Sequence, residues 1–261
     1  MGDVWAVAGA YEAYVGRWSR RVAAAFVRWL DVPAGRRWLD AGCGTGALAG
    51  AVLEAASPAT VVGVDMSSGF LAEAQSRAPG ARFVAGDAAA LPLADGRFDA
   101  IVSGLALNFV PGPQRAVHEF ARVAAPGATV AAYVWDYTEG MRMMRYFWDA
   151  AAEVDPAAAG HDEGPRFPIC HPEALRAAWT EAGLVEVETR AIEVPTVFAG
   201  FDDYWRPFLG GQGPAPAYLA ALRAERREAI RVLLDSRLPR DADGSIALTA
   251  SAWAVRGTAP R

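Results

Sequence analysis

Residues 38–46 read WLDAGCGTG, and this stretch decides the fold. Its first four residues form a short apolar run, and an alanine-rich helix is predicted over residues 47–56, directly behind the glycines. A strand, a glycine-rich turn and a helix in this order bring backbone N–H groups at a helix N-terminus close to a ligand. The stretch therefore predicts the start of a β–α unit with a binding loop at the end of its strand.

Strands and helices alternate beyond this loop. Apolar runs predict strands over residues 38–41, 60–65, 81–85, 98–103 and 128–135, and the segments between them predict helices over residues 47–56, 69–77 and 114–125. Such alternation implies right-handed βαβ units and a parallel sheet covered on both faces. The predicted fold class is α/β, a doubly wound architecture.

The second half of the chain has a different pattern. Helices are predicted over residues 139–153, 172–182 and 218–237, a loop over residues 156–172, and strands over residues 185–198 and 246–255. We expect one domain over residues 1–261. Its predicted parts are a helical cap (1–36), a core (37–136), an inserted cap segment (137–171) and C-terminal strands (172–261) that carry inserted helices (201–238).

Composition favours a small or neutral partner. The chain has 261 residues, 53% of them hydrophobic, a net charge of -5 and a pI near 5.3, which disfavours nucleic acid. No apolar span approaches the roughly 20 residues of a membrane helix, and the N-terminal apolar stretches are too short for a signal peptide. Cys43 and Cys170 have neither metal-ligand spacing nor the number of a disulfide framework, so we expect no metal and a cytoplasmic location.

The glycines alone leave the ligand of the loop open. Gly42, Gly44 and Ala47 satisfy the relaxed G-x-G-x-x-G/A pattern of dinucleotide sites, and Asp65 lies near the distance of a ribose-binding acid. Asp40 distinguishes the two cofactors, because its carboxylate would repel a pyrophosphate but attract the ammonium and sulfonium groups of S-adenosylmethionine (SAM). A plain loop-capping role for Asp40 is the alternative.

Two further acids follow later strands of the same predicted sheet. Asp65 ends VVGVD, where it can accept hydrogen bonds from ribose hydroxyls, and Asp87 in AGDAAALP can reach an adenine amino group. The alternatives are an ordinary strand-end acid for Asp65 and a helix N-cap for Asp87. Ligands of open α/β sheets bind at the carboxyl ends of the strands, where these acids and Asp40 would meet.

Four motifs carry a resemblance to a known family. They are WLDAGCGTG (38–46), VVGVDMS (61–67), AGDAAALPLADGRFDAIVSGLALNFV (85–110) and APGATVAAYVWD (125–136). The chain resembles the class I SAM-dependent methyltransferases over residues 37–136, and more narrowly the type 11 group that includes ubiquinone and menaquinone biosynthesis enzymes. The resemblance implies a Rossmann-like, seven-stranded, mostly parallel sheet with an antiparallel C-terminal strand and a helical cap. It also implies SAM as cofactor and S-adenosylhomocysteine (SAH) as product.

The resemblance also assigns cofactor-binding residues. The methionine portion of SAM is assigned to Asp40, Gly42, Cys43 and Gly44 of the loop, and the ribose to Asp65. Met66, Asp87 and Ala88 would contact the adenine, and Ser103 with Gly104 would line the methyl-transfer point at the end of the fourth strand. Arg17 and Trp18 would close over the cofactor. Arg17 would face the cofactor's carboxylate, although an arginine on an amphipathic helix is more often simply solvated.

No catalytic base stands out in the sequence. Many relatives place a histidine or an acid just after the fourth strand, where this chain has Leu107, Asn108 and Phe109. Methyl transfer can rely on alignment alone. If the acceptor must lose a proton, the candidates are His118, His161, His171 and several tyrosines, with a structural or surface role favoured for His118. The weak catalytic candidates are His161, His171 and Asn108.

Aromatic residues suggest the acceptor. They concentrate in segments expected to overhang the sheet: Trp135, Tyr137, Tyr146, Phe147, Trp148, Phe167, Tyr204, Trp205 and Phe208. They suit a small, apolar or aromatic methyl acceptor, or else they form the core of a helical cap. The expected function is a small-molecule SAM-dependent methyltransferase. The alternatives are an NAD(P)-dependent oxidoreductase and a catalytically silent SAM-fold binding protein.

Overall fold

The computed structural model describes residues 16–210 and 213–261. These residues divide into two compact units. The sheet unit comprises Ser19–Val134, Ile169–Ile192 and Ala252–Arg261. The helical unit comprises Trp135–Pro168 and Glu193–Ser251, together with residues 16–18.

Seven strands form one sheet in the order β3-β2-β1-β4-β5-β7-β6. They are β1 (Arg37–Ala41), β2 (Thr60–Asp65), β3 (Arg82–Ala85), β4 (Phe98–Gly104), β5 (Ala124–Trp135), β6 (Val185–Phe198) and β7 (Ile246–Thr258). β1 pairs in parallel with β2 and β4, as do β2 with β3 and β4 with β5. β7 runs antiparallel to β5, since the Gly127 N–H donates to Ala259 O and the Asp136 N–H to Ser251 O. The predicted fold class is confirmed.

The helices of the described residues are α1 (Arg17–Leu30), α2 (Ala47–Ala55), α3 (Ser68–Arg77), α4 (Pro113–Val123), α5 (Arg142–Val154), α6 (Glu163–Arg166), α7 (Pro172–Glu181), α8 (Phe201–Trp205), α9 (Pro214–Ala221) and α10 (Ala224–Arg237). Among these, none is long and apolar enough to cross a membrane.

The sheet core explains the continuous apolar runs of the sequence. The last six residues of β5 are all buried, as expected for a central strand covered on both faces. Trp179 of α7 is fully buried, and its Nε1–H donates to Val130 O at 2.9 Å. The indole thus fixes α7 to the main chain of β5.

Two predicted segments are corrected by the structure. The loop predicted over residues 156–172 contains the short helix α6 between two 3-10 helices, Pro156–His161 and Pro168–Cys170. The helix predicted over residues 218–237 is interrupted, because α9 ends at Ala221 and α10 begins at Ala224. Neither Gly nor Pro marks that interruption in the sequence. Both helices bury side chains in the fold, and this packing decides where each one ends.

Strand order places the candidate site. The chain runs outward from β1 in both directions, so the order reverses between β1 and β4, the switch point where doubly wound sheets bind ligands. Asp40 on β1 is paired with Val102 on β4, directly at this reversal. The carboxyl ends of β1, β2, β3 and β4 therefore meet at one edge of the sheet.

Candidate cofactor site

The glycine loop joins β1 to α2 and is anchored to β2. The N–H groups of Gly42 and Cys43 both donate to Val64 O, at 2.8 and 3.0 Å. Gly42 and Gly44 have φ values of +74° and +51°, a left-handed backbone that favours glycine. These bonds fix the loop to β2, and the left-handed glycines allow the chain to turn between β1 and α2.

Asp40 lies beneath this loop as a buried, unpaired acid. It is only 1% exposed, and neither carboxylate oxygen has a hydrogen-bond partner. Burial raises the pKa of Asp40 to about 7; the Ala49 N–H in the first turn of α2 opposes the rise without reaching hydrogen-bond geometry, and the charge of Asp65 adds to it. An unpaired buried carboxyl is costly, so the site favours a cationic partner.

Asp65 shapes the loop from the neighbouring strand. Its Oδ2 accepts from the Gly44 N–H at 2.9 Å, and its Oδ1 accepts from the Ser67 N–H at 2.8 Å. A carboxylate has about four lone-pair positions, so each oxygen can accept another hydrogen bond. Asp65 thus fixes the loop and remains suited to a diol such as ribose.

The residues assigned to adenine lie beyond β2 and β3. Met66 is 75% exposed, a high value for a large apolar side chain, and Ala88 is buried. Asp87 Oδ1 accepts from the Ala89 N–H at 2.8 Å and caps a turn. Such a local role was the alternative interpretation of Asp87. The second carboxylate oxygen remains for the adenine contact, which stays a prediction.

The end of β4 is tightly packed. Ser103 is buried, and a Cβ placed on Gly104 would lie 2.6 Å from the Tyr133 hydroxyl. Leu105 follows with φ +57°, a backbone conformation that a leucine rarely adopts. Strain of this kind is found where a fold over-determines a local geometry, often at ligand sites.

Arg17 and Trp18 lie in the helical unit. The Arg17 Nη1 pairs with Asp203 at 3.2 Å, and its guanidinium carbon lies 4.3 Å from the Trp18 ring centre and 4.7 Å from that of Phe198. Its Nε and Nη2 are buried without partners. Arg17 is therefore not the solvated surface arginine of the alternative interpretation, and its contact with the cofactor stays a prediction.

The three histidines lie on different elements of the described chain. His118 is exposed on α4, His161 is exposed and lies against the Tyr218 ring at 5.2 Å, and His171 precedes α7. His161 belongs to the helical unit and His171 to the sheet unit. Within residues 16–210 and 213–261, no cluster of three potential metal ligands is present.

The predicted aromatic cluster forms much of the interior of the helical unit. Phe147 stacks on Phe208 at 4.6 Å, and Tyr204 donates its hydroxyl hydrogen to Met143 O. Most of these rings are buried. A core role is therefore present, and contact with an acceptor stays a prediction.

Glu163 is a buried acid with a raised pKa that the sequence did not reveal. It is 2% exposed, its Oε2 accepts from the Trp148 indole N–H at 2.5 Å, and its Oε1 has no partner. Burial raises its pKa to about 7. In the sequence it stands beside Asp162 in a segment predicted as loop, and only Asp162 pairs with Arg145. No sequence signal separates the buried acid from its exposed counterparts.

Comparison with known proteins decides the family of this core. The model of the type 11 family, described as "Methyltransferase domain", matches residues 39–132. Residues 39–132 form a methyltransferase domain of this family. The resemblance seen in the sequence is confirmed, and SAM is the cofactor of such a domain.

Curated relatives match part of the chain. A demethylmenaquinone methyltransferase of Renibacterium salmoninarum is 39% identical over 42% of this chain and 44% of its own length. A malonyl-[acyl-carrier protein] O-methyltransferase of Methylococcus capsulatus is 39% identical over 40% of this chain and 39% of its own. The chain thus spans less than half the length of these relatives.

Solved structures share the fold over most of the chain. The YcgJ protein of Bacillus subtilis superimposes with a TM-score of 0.61 at 19% identity, over 92% of this chain and 99% of its own. The phosphoethanolamine N-methyltransferase 2 of Haemonchus contortus, solved with SAM, gives a TM-score of 0.61 at 16% identity, over 97% of this chain and 56% of its own. At these identities the likeness shows the fold alone.

Proposed function

We propose that the whole chain is a SAM-dependent methyltransferase that methylates a small organic acceptor, with SAH as product. The observation that carries this proposal is Asp40, a buried carboxyl without a partner at the switch point of the sheet. A dinucleotide would bring its anionic pyrophosphate to this loop, and Asp40 would repel it. SAM brings an ammonium and a sulfonium, which supply the missing partner.

The remaining cofactor contacts follow the strand ends. We assign the methionine portion to Asp40 and to the backbone of Gly42, Cys43 and Gly44, and the ribose to Asp65. Met66 would pack on the adenine, with Asp87 and Ala88 at its edge. These assignments are supported by the exposure of Met66. They are also supported by the Asp65 carboxylate, which the N–H groups of Gly44 and Ser67 hold in place.

Two further contacts complete the proposed cofactor site. Ser103 would line the methyl-transfer point at the end of β4. Arg17 would bind the carboxylate of SAM while Trp18 covers the cofactor. The unpartnered Nε and Nη2 of Arg17 support this role, since a guanidinium binds carboxylates through paired N–H groups.

The reaction depends mainly on how the protein aligns the acceptor with the methyl group. When bound, SAM would supply an activated methyl group on a positively charged sulfur, and SAH would be the leaving group. The protein orients the acceptor and excludes water, and alignment of this kind can supply several kcal/mol of the barrier reduction, on the order of 7–11. The buried aromatic side chains of the helical unit favour an apolar or aromatic acceptor.

The proposal includes a single domain over residues 1–261, a cytoplasmic location and no nucleic-acid partner. It is supported by the acidic pI and by Cys43 and Cys170, which are both buried. Burial raises the pKa of the Cys43 thiol, with a further rise from the charge of Asp40, so this thiol is kept protonated and unreactive.

Calorimetric titration tests the cofactor assignment. SAM and SAH should bind to the wild-type chain, and NAD⁺ should not. Asp65→Ala should weaken SAM binding by 10-fold or more, since it removes the ribose acceptor and the support of Gly44 at once. Thermal unfolding of the variant shows whether it folds. A chain that binds NAD⁺ and neither SAM nor SAH would overturn the proposal.

Methyl transfer is measured with methyl-labelled SAM and a panel of small aromatic hydroxyl, amine and carboxylate compounds. Labelled product from any of them supports an enzyme. SAM binding without product from any member of the panel would favour the silent binding protein.

A further inference from the structure

The turn after β4 packs directly on the glycine loop. A Cβ placed on Gly42 would lie 2.6 Å from the Ala106 Cβ, so the methyl group of Ala106 occupies the space that a side chain at position 42 would need. The turn starts at the strained Leu105, whose N–H donates to Tyr133 O at 2.8 Å, and continues as the 3-10 helix Leu107–Phe109. This turn therefore lies beside the glycine loop at the switch point between β1 and β4.

Asn108 occupies the middle of this 3-10 helix and carries an unsatisfied donor. The residue is 9% exposed, and its Nδ2 is buried without a hydrogen-bond partner. Leaving a buried polar group unpaired costs about 1–3 kcal/mol, so such groups are few in folded proteins and often have a functional reason. The neighbouring Leu107 is fully buried and apolar, which shows that the fold accepts an apolar side chain in this helix.

We infer that Asn108 is a specificity-determining residue whose Nδ2–H binds an oxygen of the methyl acceptor. This inference rests on the proposed methyltransferase function. A primary amide donates through its nitrogen and does not take up a proton near neutral pH. Asn108 would therefore select and orient an acceptor that carries a carbonyl, carboxylate or enolate oxygen beside the methylated atom, and it would not act as the base.

Two ring compounds test this selection by binding to the SAH complex. The first probe, 2-hydroxy-1,4-naphthoquinone, carries a carbonyl oxygen beside its hydroxyl, and the second, 2-naphthol, carries the hydroxyl alone. The wild-type complex should bind the first probe at least 10-fold more tightly than the second. Asn108→Leu should remove this preference, and Asn108→Asp should weaken the first probe further through repulsion between oxygens.

A readout from the free protein separates ligand binding from a structural role. Because the donor is unpaired, Asn108→Leu should leave the thermal midpoint equal to or above that of the wild type, whereas removing a structural amide would lower it. The Asn108 side-chain amide resonance, assigned by its absence in Asn108→Asp, should shift when 2-hydroxy-1,4-naphthoquinone is added to the SAH complex. An unchanged resonance would contradict the inference.

The outcomes distinguish the two proposals. Loss of SAM and SAH binding by the wild-type chain would overturn the methyltransferase function itself. With SAH bound equally by the wild type and both variants, three results would overturn the Asn108 inference alone: equal affinity for the two probes, binding of neither, or a preference that survives Asn108→Leu.

Discussion

Asp40 links the ligand of the glycine loop to pH. Its carboxyl is buried and unpaired, and its pKa is raised to about 7, so near neutral pH a large fraction of the free protein carries a proton there. A cationic ligand favours the ionised form and lowers this pKa in the complex. The complex then binds fewer protons than the free protein, so the affinity for the ligand rises with pH until about 7.

We predict that the dissociation constant for SAM falls as pH rises from 5.5 to 7 and levels off above that, with a slope of at most about 10-fold per pH unit. Calorimetry at several pH values measures the slope. Asp40→Asn should bind SAM more weakly and flatten this pH slope. Asp87→Asn, which changes an exposed acid, should leave the slope unchanged. An equal slope in wild type and Asp40→Asn would show that another group titrates.

Glu163, in the helical unit, also has a raised pKa, and this shift affects the stability of the fold. Its pKa rises from 4.5 in the unfolded chain to about 7 in the fold through burial; Trp148 and Arg145 oppose the rise and Asp162 adds to it. The folded state therefore binds the proton more tightly. Stability from this group is fully present below pH 4.5 and is lost as pH rises through about 7.

We predict that Glu163→Gln gains stability relative to wild type between pH 4.5 and 8, by up to about 3 kcal/mol, because the amide never has to ionise. Urea unfolding at pH 4.5, 6 and 8 measures the difference. Glu54→Gln, an exposed change on α2, serves as the control and should show no such gain. Parallel stability curves for Glu163→Gln and wild type would contradict the raised pKa.

At the scale of elements, the β1–α2 loop depends on two glycines for different reasons. Gly44 has φ +51° with open space at its Cβ position, so an alanine there meets only backbone strain. Gly42 has φ +74° and would also bring a Cβ to 2.6 Å from Ala106. Position 42 therefore combines backbone strain with a clash against the turn that follows β4.

We expect Gly44→Ala to lower the free energy of unfolding by about 1–2 kcal/mol, the cost of a left-handed alanine. Gly42→Ala should cost at least 1 kcal/mol more, since overpacking adds about 1–3 kcal/mol. Urea unfolding without ligand gives both values, and each variant is the control for the other. Equal losses would mean that the turn after β4 moves away freely.

At the scale of the whole molecule, the proposed adenosine and methionine contacts belong to the sheet unit, apart from Arg17 and Trp18. A ligand that binds only the folded state stabilises it by about 2.7 kcal/mol at 100 times its dissociation constant. The stabilisation should be strongest where the ligand is held by backbone groups.

We therefore predict that saturating SAM raises the thermal midpoint and slows amide hydrogen exchange in residues 39–49 and 64–89. Mass spectrometry of exchanged peptides measures the pattern, and α10 in the helical unit provides an internal reference with little expected change. Protection confined to the helical unit, with none in the glycine loop, would contradict the assigned site.

Sequence patterns alone predicted the α/β class, the first five strands and the loop that we assign to the cofactor. Apolar runs with strand and helix periods, and glycines between them, are local signals that need no tertiary information. The spacing of Asp40, Asp65 and Asp87 at strand ends likewise followed from chain order, because parallel strands bring their carboxyl ends to one edge.

Only the tertiary structure decided which polar groups are left without partners. Asp40, Asn108 and Glu163 have ordinary sequence neighbours, and their burial arises from segments distant along the chain, as when the α5 residue Trp148 binds Glu163. The helix break before Ala224 and the helices within residues 156–170 were decided in the same way. Burial and hydrogen-bond satisfaction are sums over long-range contacts, which periodicity along the chain does not encode.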